Sequence, residues 1–321
     1  MLGLWRGAAM YVGAVLGPGV LVLPRLAAEA AGPASIAAWL ALLVLSAPVA
    51  ATFAMLGARY PGGGGVSGFV ARAFGPRAAA VTGWWFIAAI PPGVAAGAKT
   101  GAAYVGGSAW VTVALLVAAF AANHAGLRLS GGAQLAMAGV LALLLVAACA
   151  VAAPHVEAGN FTPFAPHGAG GVAGAVGVLF LAFVGWEAAT HLSGDFADPR
   201  RMLPRVAALS LAVVAVIYIG LSIVVVGALG DAAAREPAPL SALLRFGLGD
   251  ATGPVTAVAA LALSFGAVNA YLAGPGGWRT RWPGAVISPA SWPRTVPRAA
   301  RWRRWRCPPR CSWRCRSVWR S

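Results

Sequence analysis

Long apolar runs, separated by short segments rich in glycine, proline or arginine, occupy most of the chain. About 20 apolar residues cross the hydrocarbon core of a bilayer as a helix, and these runs lack the alternation typical of membrane barrel strands. Because only helices and closed barrels satisfy their own backbone within lipid, the pattern predicts an all-α polytopic membrane protein. The eight expected spans are residues 7–28, 34–57, 79–104, 108–125, 133–153, 172–194, 204–229 and 252–273.

The composition excludes a soluble domain of this length. Hydrophobic residues make up 60% of the 321 residues and charged residues only 10%, whereas soluble domains carry about 25% charged residues. A single water-exposed surface cannot be built from so few polar side chains. Lipid is therefore the expected solvent for most of the chain.

The formal net charge of +16 is concentrated at one end of the chain. Residues 1–273 hold twelve basic and all eight acidic residues, a net charge of +4, and residues 274–321 hold twelve basic residues and no acid. An interpretation as a nucleic-acid-binding protein would rest on those last 48 residues alone. No specific nucleic-acid partner is expected for the apolar body.

Residues 274–321 differ in kind from the rest of the chain. They are rich in Arg, Trp, Pro and Cys and show neither helical nor strand periodicity, which predicts a disordered tail. All these residue types have GC-rich codons, so a shifted reading frame explains the tail; the alternative is a genuine arm that binds anionic lipid or nucleic acid. Cys307, Cys311 and Cys315 have no well-placed fourth ligand nearby, and no metal site is expected.

The loops alternate in charge along the chain. Arginines collect between the second and third spans and between the sixth and seventh, which lie on the same side of the membrane; they are Arg59, Arg72, Arg77, Arg200, Arg201 and Arg205. Basic loops favour the cytoplasmic side, so the N-terminus is expected in the cytoplasm. Val66–Phe74 is expected to lie as a short interfacial helix, with Arg72 and Arg77 facing anionic headgroups.

The first span contains helix-breaking residues at mid-membrane. Gly13, Gly17, Pro18 and Gly19 lie within seven residues, and Pro24 follows. Such residues free backbone N–H and C=O groups, which must then face protein or a wet cavity, and a freed helix N-terminus favours an anion such as a carboxylate. The alternative is that the glycines only allow close helix packing.

The sixth span carries an acid inside an apolar run. Glu187 lies in this run, and His191 lies one helical turn later on the same face. An ionisable group at this depth costs about 2.5–3.5 kcal/mol unless it is protonated or paired, so the two residues are candidates for sharing a proton. The alternative is a structural pair that joins two helices.

Two further polar residues are candidates for lining a pore. Lys99 lies near the outer end of the third span, where a lysine can also extend its ammonium to the interface. Asn269 lies in the eighth span, where an amide can equally form a hydrogen bond between helices.

Interrupted first and sixth spans stand five spans apart. Corresponding broken helices in two halves of a chain indicate an inverted-repeat transporter with its site at the midplane. The sequence therefore favours transport over simple packing.

At these residues the chain resembles the amino acid–polyamine–organocation (APC) permeases, and it looks closest to bacterial methionine and branched-chain amino-acid efflux permeases. The matching stretches are Gly13–Pro24, Tyr60–Gly65, Ala73–Arg77, Thr82-Gly83-Trp84, Ile90–Gly93, Asn123–Arg128, Phe183–Glu187, His191, Asp198–Arg205 and Asn269-Ala270-Tyr271. They cover about residues 5–273. The resemblance implies a five-plus-five inverted repeat followed by two more helices, and a multi-pass protein of the bacterial inner membrane.

The resemblance also implies roles for the residues at the two breaks. The Gly17-Pro18-Gly19 backbone would offer N–H groups to an amino-acid carboxylate, Phe183 and Val184 would offer carbonyls to the ammonium, and Trp186, after Gly185, would wall or gate the pocket. Glu187 is the expected site of proton coupling.

The expected substrates are small neutral amino acids such as methionine, leucine, isoleucine or valine, moved by efflux with protons or by exchange. No enzymatic activity and no cofactor is expected. The resemblance ends near Ala273, so the C-terminal third of the family is expected to be missing. The alternative to a transporter is therefore an inactive membrane remnant.

Overall fold

The computed structural model describes residues 3–60, 65–126, 131–187, 193, 196 and 198–281, and over these residues the chain is helical without strands. The α-helices are α1 (Leu4–Val15), α2 (Leu23–Ala31), α3 (Ser35–Arg59), α4 (Gly65–Ala103), α5 (Ala109–His124), α6 (Gly131–Ala152), α7 (Gly168–Leu179), α8 (Pro199–Leu229), α9 (Pro239–Leu248) and α10 (Thr252–Arg281).

Five helical segments in the described part of the chain are long and apolar enough to cross a membrane. They are Leu23–Arg59, Gly65–Ala103, Leu135–His155, Pro199–Ala234 and Thr252–Leu272. The chain is therefore an all-α polytopic membrane protein, as predicted. Each of the eight predicted spans contains helix, but the first and sixth are interrupted and the fourth, α5, has only 16 residues, so a total of eight spans stays a prediction.

Local sequence explains several helix boundaries. The Ser108 side chain accepts a hydrogen bond from the Trp110 amide at the start of α5, and Asp198 accepts one from the Arg201 amide at the start of α8; both are N-caps that satisfy an otherwise unpaired amide. Gly75, with φ 85° and ψ 175°, interrupts α4. The segment before Gly75 is helical, as predicted for Val66–Phe74.

Two boundaries differ from the prediction. Helix α9 lies between the seventh and eighth predicted spans, where the sequence predicts a loop. Its ten residues, from Pro239 to the residue before Gly249, are too few to cross a membrane and give no span signal. Helix α10 continues to Arg281, so the first residues of the predicted disordered tail are helical. The rest of that tail, 282–321, lies outside the described residues.

The buried apolar side chains form two separate clusters. The larger cluster joins α1, α2, α3, α6, α7, α8 and α9 with Ala260 and Leu263 of α10, and its members include Tyr11, Trp39 and Leu179. The smaller cluster joins α4, α5 and α10 through the buried residues Val94, Ala98, Ala119 and Val268. Both interrupted helices belong to the larger cluster.

Helices α4, α5 and α10 are held together by small residues and one polar pair. A Cβ atom added at Gly101 of α4 would lie 2.8 Å from Ser264 Cβ of α10 and 3.1 Å from Leu115 Cδ1 of α5. The Asn123 side-chain amide donates to Asn269 Oδ1 at 2.7 Å. Small residues let the helix backbones approach closely, and hydrogen bonds between side-chain amides on different helices stabilise the packing further, as is usual in membrane bundles.

We expect Gly101→Ala to lower the midpoint of thermal unfolding in detergent, because the added methyl group overpacks the α4–α10 contact at a cost of about 1–3 kcal/mol. Gly220→Ala is the matched control, since a Cβ there meets no described atom within 4 Å. The control should melt at or slightly above the parent midpoint, because alanine favours helix over glycine. Equal midpoints for the two variants would contradict the close contact.

Candidate functional site

The first interrupted helix breaks where the sequence predicted. Helix α1 ends at Val15, Leu16 has φ −72° and ψ 72°, and Gly17 is extended with φ −78° and ψ 170°. A 3₁₀ turn over Pro18–Leu21 then leads into α2. Because Pro18 has no N–H and its ring clashes with the preceding turn, the helix cannot continue through it.

The sixth predicted span is interrupted in a similar way. Helix α7 ends at Leu179, and a 3₁₀ turn covers Phe180–Phe183. Val184 is extended, with φ −74° and ψ 136°, and Gly185 has φ +125°. Only glycine adopts such a φ without strain, so Gly185 sets the direction in which the chain leaves the turn.

The two breaks touch each other at Gly185. A Cβ atom there would lie 2.6 Å from the Ala14 carbonyl oxygen and 3.3 Å from Val15 Cα. Any side chain would therefore push the sixth span away from the end of α1. Glycine is required here both by its φ and by the space.

Tyr218 of α8 links the two breaks. Its buried hydroxyl lies 3.3 Å from the Val15 carbonyl and 3.2 Å from the Ala182 carbonyl, one acceptor from each interrupted helix. A hydroxyl carries one hydrogen, so the two carbonyls share it. The ring packs on Trp39 of α3 with centroids 4.7 Å apart, which fixes the hydroxyl in place.

Two more tyrosines bind carbonyls that the breaks release. The Tyr11 hydroxyl donates to the Trp186 carbonyl at 2.6 Å, and the Tyr104 hydroxyl donates to the Leu21 carbonyl at 2.8 Å. Tyr11 also packs edge-on against the Trp186 ring, with centroids 5.5 Å apart. Unpaired carbonyls are costly inside a membrane, and these hydroxyls satisfy them.

Sequence reasoning missed all three tyrosines. A usable signal existed: a tyrosine inside an apolar span needs a hydrogen-bond acceptor, and a broken helix supplies free carbonyls. The positions of the partners along the chain could not be inferred, because they depend on how the helices pack.

The backbone N–H groups of the first break are not equally available. The Gly17 amide already donates to the Val15 carbonyl at 2.8 Å, and Pro18 has no amide hydrogen. The expectation that all of Gly17-Pro18-Gly19 offers N–H groups is therefore wrong for Pro18. The Gly19 amide has no backbone acceptor among the described residues.

The glycines before the break differ in role. A Cβ at Gly13 would lie 2.8 Å from Ala138 Cβ of α6, whereas a Cβ at Gly17 meets no described atom within 4 Å. Gly13 thus allows close packing, the alternative given above for the whole motif. Gly17 borders open space.

Glu187 is part of the sixth span's break. Its carboxylate accepts a hydrogen bond from the Gly185 amide at 3.0 Å, and the residue is half-buried. The carboxylate therefore satisfies an amide that the break leaves without a helical acceptor. His191, its expected proton-sharing partner, lies outside the described residues.

The other candidate residues lie in different surroundings. Trp186 is 1% exposed, and its indole N–H has no acceptor among the described residues. Lys99 is exposed on α4. Asn269 is 2% exposed, and its side-chain oxygen accepts a hydrogen bond from Asn123. This is the alternative given above for Asn269, a hydrogen bond between helices. No cluster of three or more metal-ligating side chains occurs in the described part of the chain.

The family profile described as amino acid permease matches residues 2–278. The chain is 36% identical over 278 residues to the uncharacterized amino acid permease YecA of Bacillus subtilis, and the match covers 84% of this chain and 65% of the relative. It is 36% identical over 262 residues to the L-methionine/branched-chain amino acid exporter YjeH of Escherichia coli, covering 77% and 62%. It is 25% identical over 252 residues to the branched-chain amino acid permease BcaP of B. subtilis, covering 70% and 54%.

The chain thus covers less than two thirds of the length of each of these relatives. The matched part includes both interrupted helices, since the family profile extends past residue 187 to residue 278. The chain is a multi-pass membrane protein that belongs to the amino acid permease family, within the APC superfamily.

Proposed function

We propose that this chain binds a small neutral amino acid between its two helix breaks and carries it across the bacterial inner membrane. The observation that supports this most directly is the contact of the two breaks at Gly185 and Ala14. The two interrupted stretches that meet there contain the Gly19 amide and Glu187, which supports a polar ligand at this point.

The polarity of the two breaks suits a zwitterion. Helix α2 begins directly after the first break, so its positive N-terminal end and the Gly19 amide favour a carboxylate. Helices α1 and α7 both end at the breaks, and their negative C-terminal ends favour an ammonium group. The Phe183 and Val184 carbonyls are the proposed ammonium acceptors.

The proposed substrates are methionine and the branched-chain amino acids. The relative YjeH is named as an exporter of L-methionine and branched-chain amino acids, and BcaP as a permease of branched-chain amino acids. The proposed direction is efflux, either coupled to protons or by exchange. Glu187 is the proposed proton-coupling residue, and a cytoplasmic N-terminus is the proposed orientation.

L-Methionine and L-leucine should raise the unfolding temperature of the purified chain. A ligand that binds only the folded state at 100 times its Kd stabilises it by about 2.7 kcal/mol. L-Lysine, L-glutamate and D-methionine serve as controls and should have little effect. No shift with any amino acid, or the same shift with all of them, would contradict the proposed site.

Counterflow in proteoliposomes tests transport by the same chain. Preloaded unlabelled methionine should drive accumulation of labelled leucine. Binding without counterflow would support the site but contradict transport by this chain, as expected for an inactive remnant.

Tyr218→Phe should destabilise the junction of the breaks by about 1–3 kcal/mol, because the buried Ala182 carbonyl loses its hydroxyl donor and the Val15 carbonyl keeps only the Gly17 amide. We expect a lower unfolding temperature and weaker methionine binding. Tyr60→Phe is the control, since Tyr60 follows the end of α3 and its ring contacts are with Arg59, Phe69 and Arg72. Similar behaviour of the two variants would show that the Tyr218 hydroxyl does not hold the breaks together.

Glu187→Gln should abolish leucine transport driven by a pH gradient while leaving exchange intact. The glutamine carbonyl can still accept the Gly185 amide hydrogen, but the side chain can no longer carry a proton. The matched control is Glu236→Gln, because Glu236 also accepts a backbone amide two residues away, from Ala238 at 3.1 Å. Unchanged proton-driven transport in Glu187→Gln would rule out this coupling role.

A further inference from the structure

The segment that follows α3 carries a group of charges that the proposed transport site does not use. Helix α3 ends at Arg59, and α4 starts at Gly65 with a helical segment that the non-helical Gly75 separates from the third span. Arg72 lies in this first segment. The segment thus connects two membrane-spanning helices at one end of the bundle.

Two arginines converge on one aromatic ring here. The Arg72 guanidinium carbon lies 4.7 Å from the centroid of the Tyr60 ring, and that of Arg59 lies 5.7 Å from it. Phe69 packs beside the same ring, with centroids 6.4 Å apart. Guanidinium groups within about 6 Å of a ring centroid are held by its quadrupole.

Neither arginine is neutralised within the described residues. Both side chains are exposed, and the ion pairs found in that part of the chain join Arg25 to Glu29 and Arg201 to Asp198. The two distances to the Tyr60 centroid put the guanidinium carbons within about 10 Å of each other, and an anion between two such positive charges is stabilised by both. Phosphate suits them, because each planar guanidinium can donate two parallel hydrogen bonds to phosphate oxygens.

The surroundings point to a lipid as the source of the phosphate. Arg59 is the last residue of an apolar helical segment long enough to cross the membrane, which places Tyr60 near the depth where aromatic residues meet headgroups. Phe74, two residues after Arg72, is 78% exposed. A basic helix with an exposed aromatic side chain is typical of segments that lie in the membrane interface.

We propose that Arg59, Tyr60 and Arg72 form a binding site for the phosphate of an anionic phospholipid, with Phe74 inserted among the acyl chains. The two guanidinium groups bind the phosphate, and the Tyr60 ring holds them in position. The bound lipid fixes the segment between the second and third spans against the bilayer.

The test uses the full chain in nanodiscs of phosphatidylcholine with increasing fractions of phosphatidylglycerol, and native mass spectrometry of the lipids it retains. The double variant Arg59→Gln/Arg72→Gln should bind phosphatidylglycerol at least about tenfold more weakly, since it removes two sets of charge-assisted hydrogen bonds to the phosphate. The control, Arg200→Gln/Arg205→Gln, removes the same charge from two exposed arginines at the start of α8. It should retain most of the affinity.

Tyr60→Leu keeps both charges and removes the ring, and it should also weaken phosphatidylglycerol binding. This variant decides the matter if the double variant fails to fold, which its thermal unfolding shows. Equal losses in the two double variants, unaltered binding in Tyr60→Leu, or no preference for phosphatidylglycerol in the parent chain would overturn the proposal. Inorganic phosphate that displaces the lipid at millimolar concentration would show a free-anion site instead.

Discussion

The need to satisfy every backbone polar group without water governs this structure. Two spans are interrupted inside a bundle that lies in lipid, and each interruption frees amides and carbonyls at a depth where an unpaired group costs several kcal/mol. The chain meets this constraint with buried side chains: Tyr11, Tyr104 and Tyr218 donate to freed carbonyls, and Glu187 accepts from a freed amide. Within the described residues, the Gly19 amide near the first break has no backbone acceptor.

The buried core is divided into two clusters, and both breaks lie in the larger one. The larger cluster contains both interrupted helices, and the smaller one consists of α4, α5 and α10. The Asn123–Asn269 hydrogen bond and the contact at Gly101 make the smaller cluster a tight unit in its own right. Tyr104, just beyond the end of α4, belongs to the larger cluster, and its hydroxyl donates to the Leu21 carbonyl next to the first break. Helix α10 contributes buried residues to both clusters.

The breaks could be predicted from the sequence because their cause is local. Pro18 cannot continue a helix, and Gly185 permits a φ that other residues avoid. The partners of the freed groups could not be predicted, since Tyr218 meets Val15 and Ala182 only through packing. The same applies to Asn269, whose sequence context allowed either a pore or a helix contact, and its partner Asn123 is 146 residues away.

The hydroxyl that Tyr218 places between two carbonyls has a mechanical consequence. Its distances of 3.2 and 3.3 Å are long for O–H···O bonds, because one hydrogen serves two acceptors. If the interrupted helices separate, that hydrogen can form one full, shorter bond with either carbonyl. Separation then costs less than breaking two independent bonds. The free energy of separating the two interrupted helices at Tyr218 is therefore closer to that of one hydrogen bond than of two, whichever carbonyl keeps the hydroxyl.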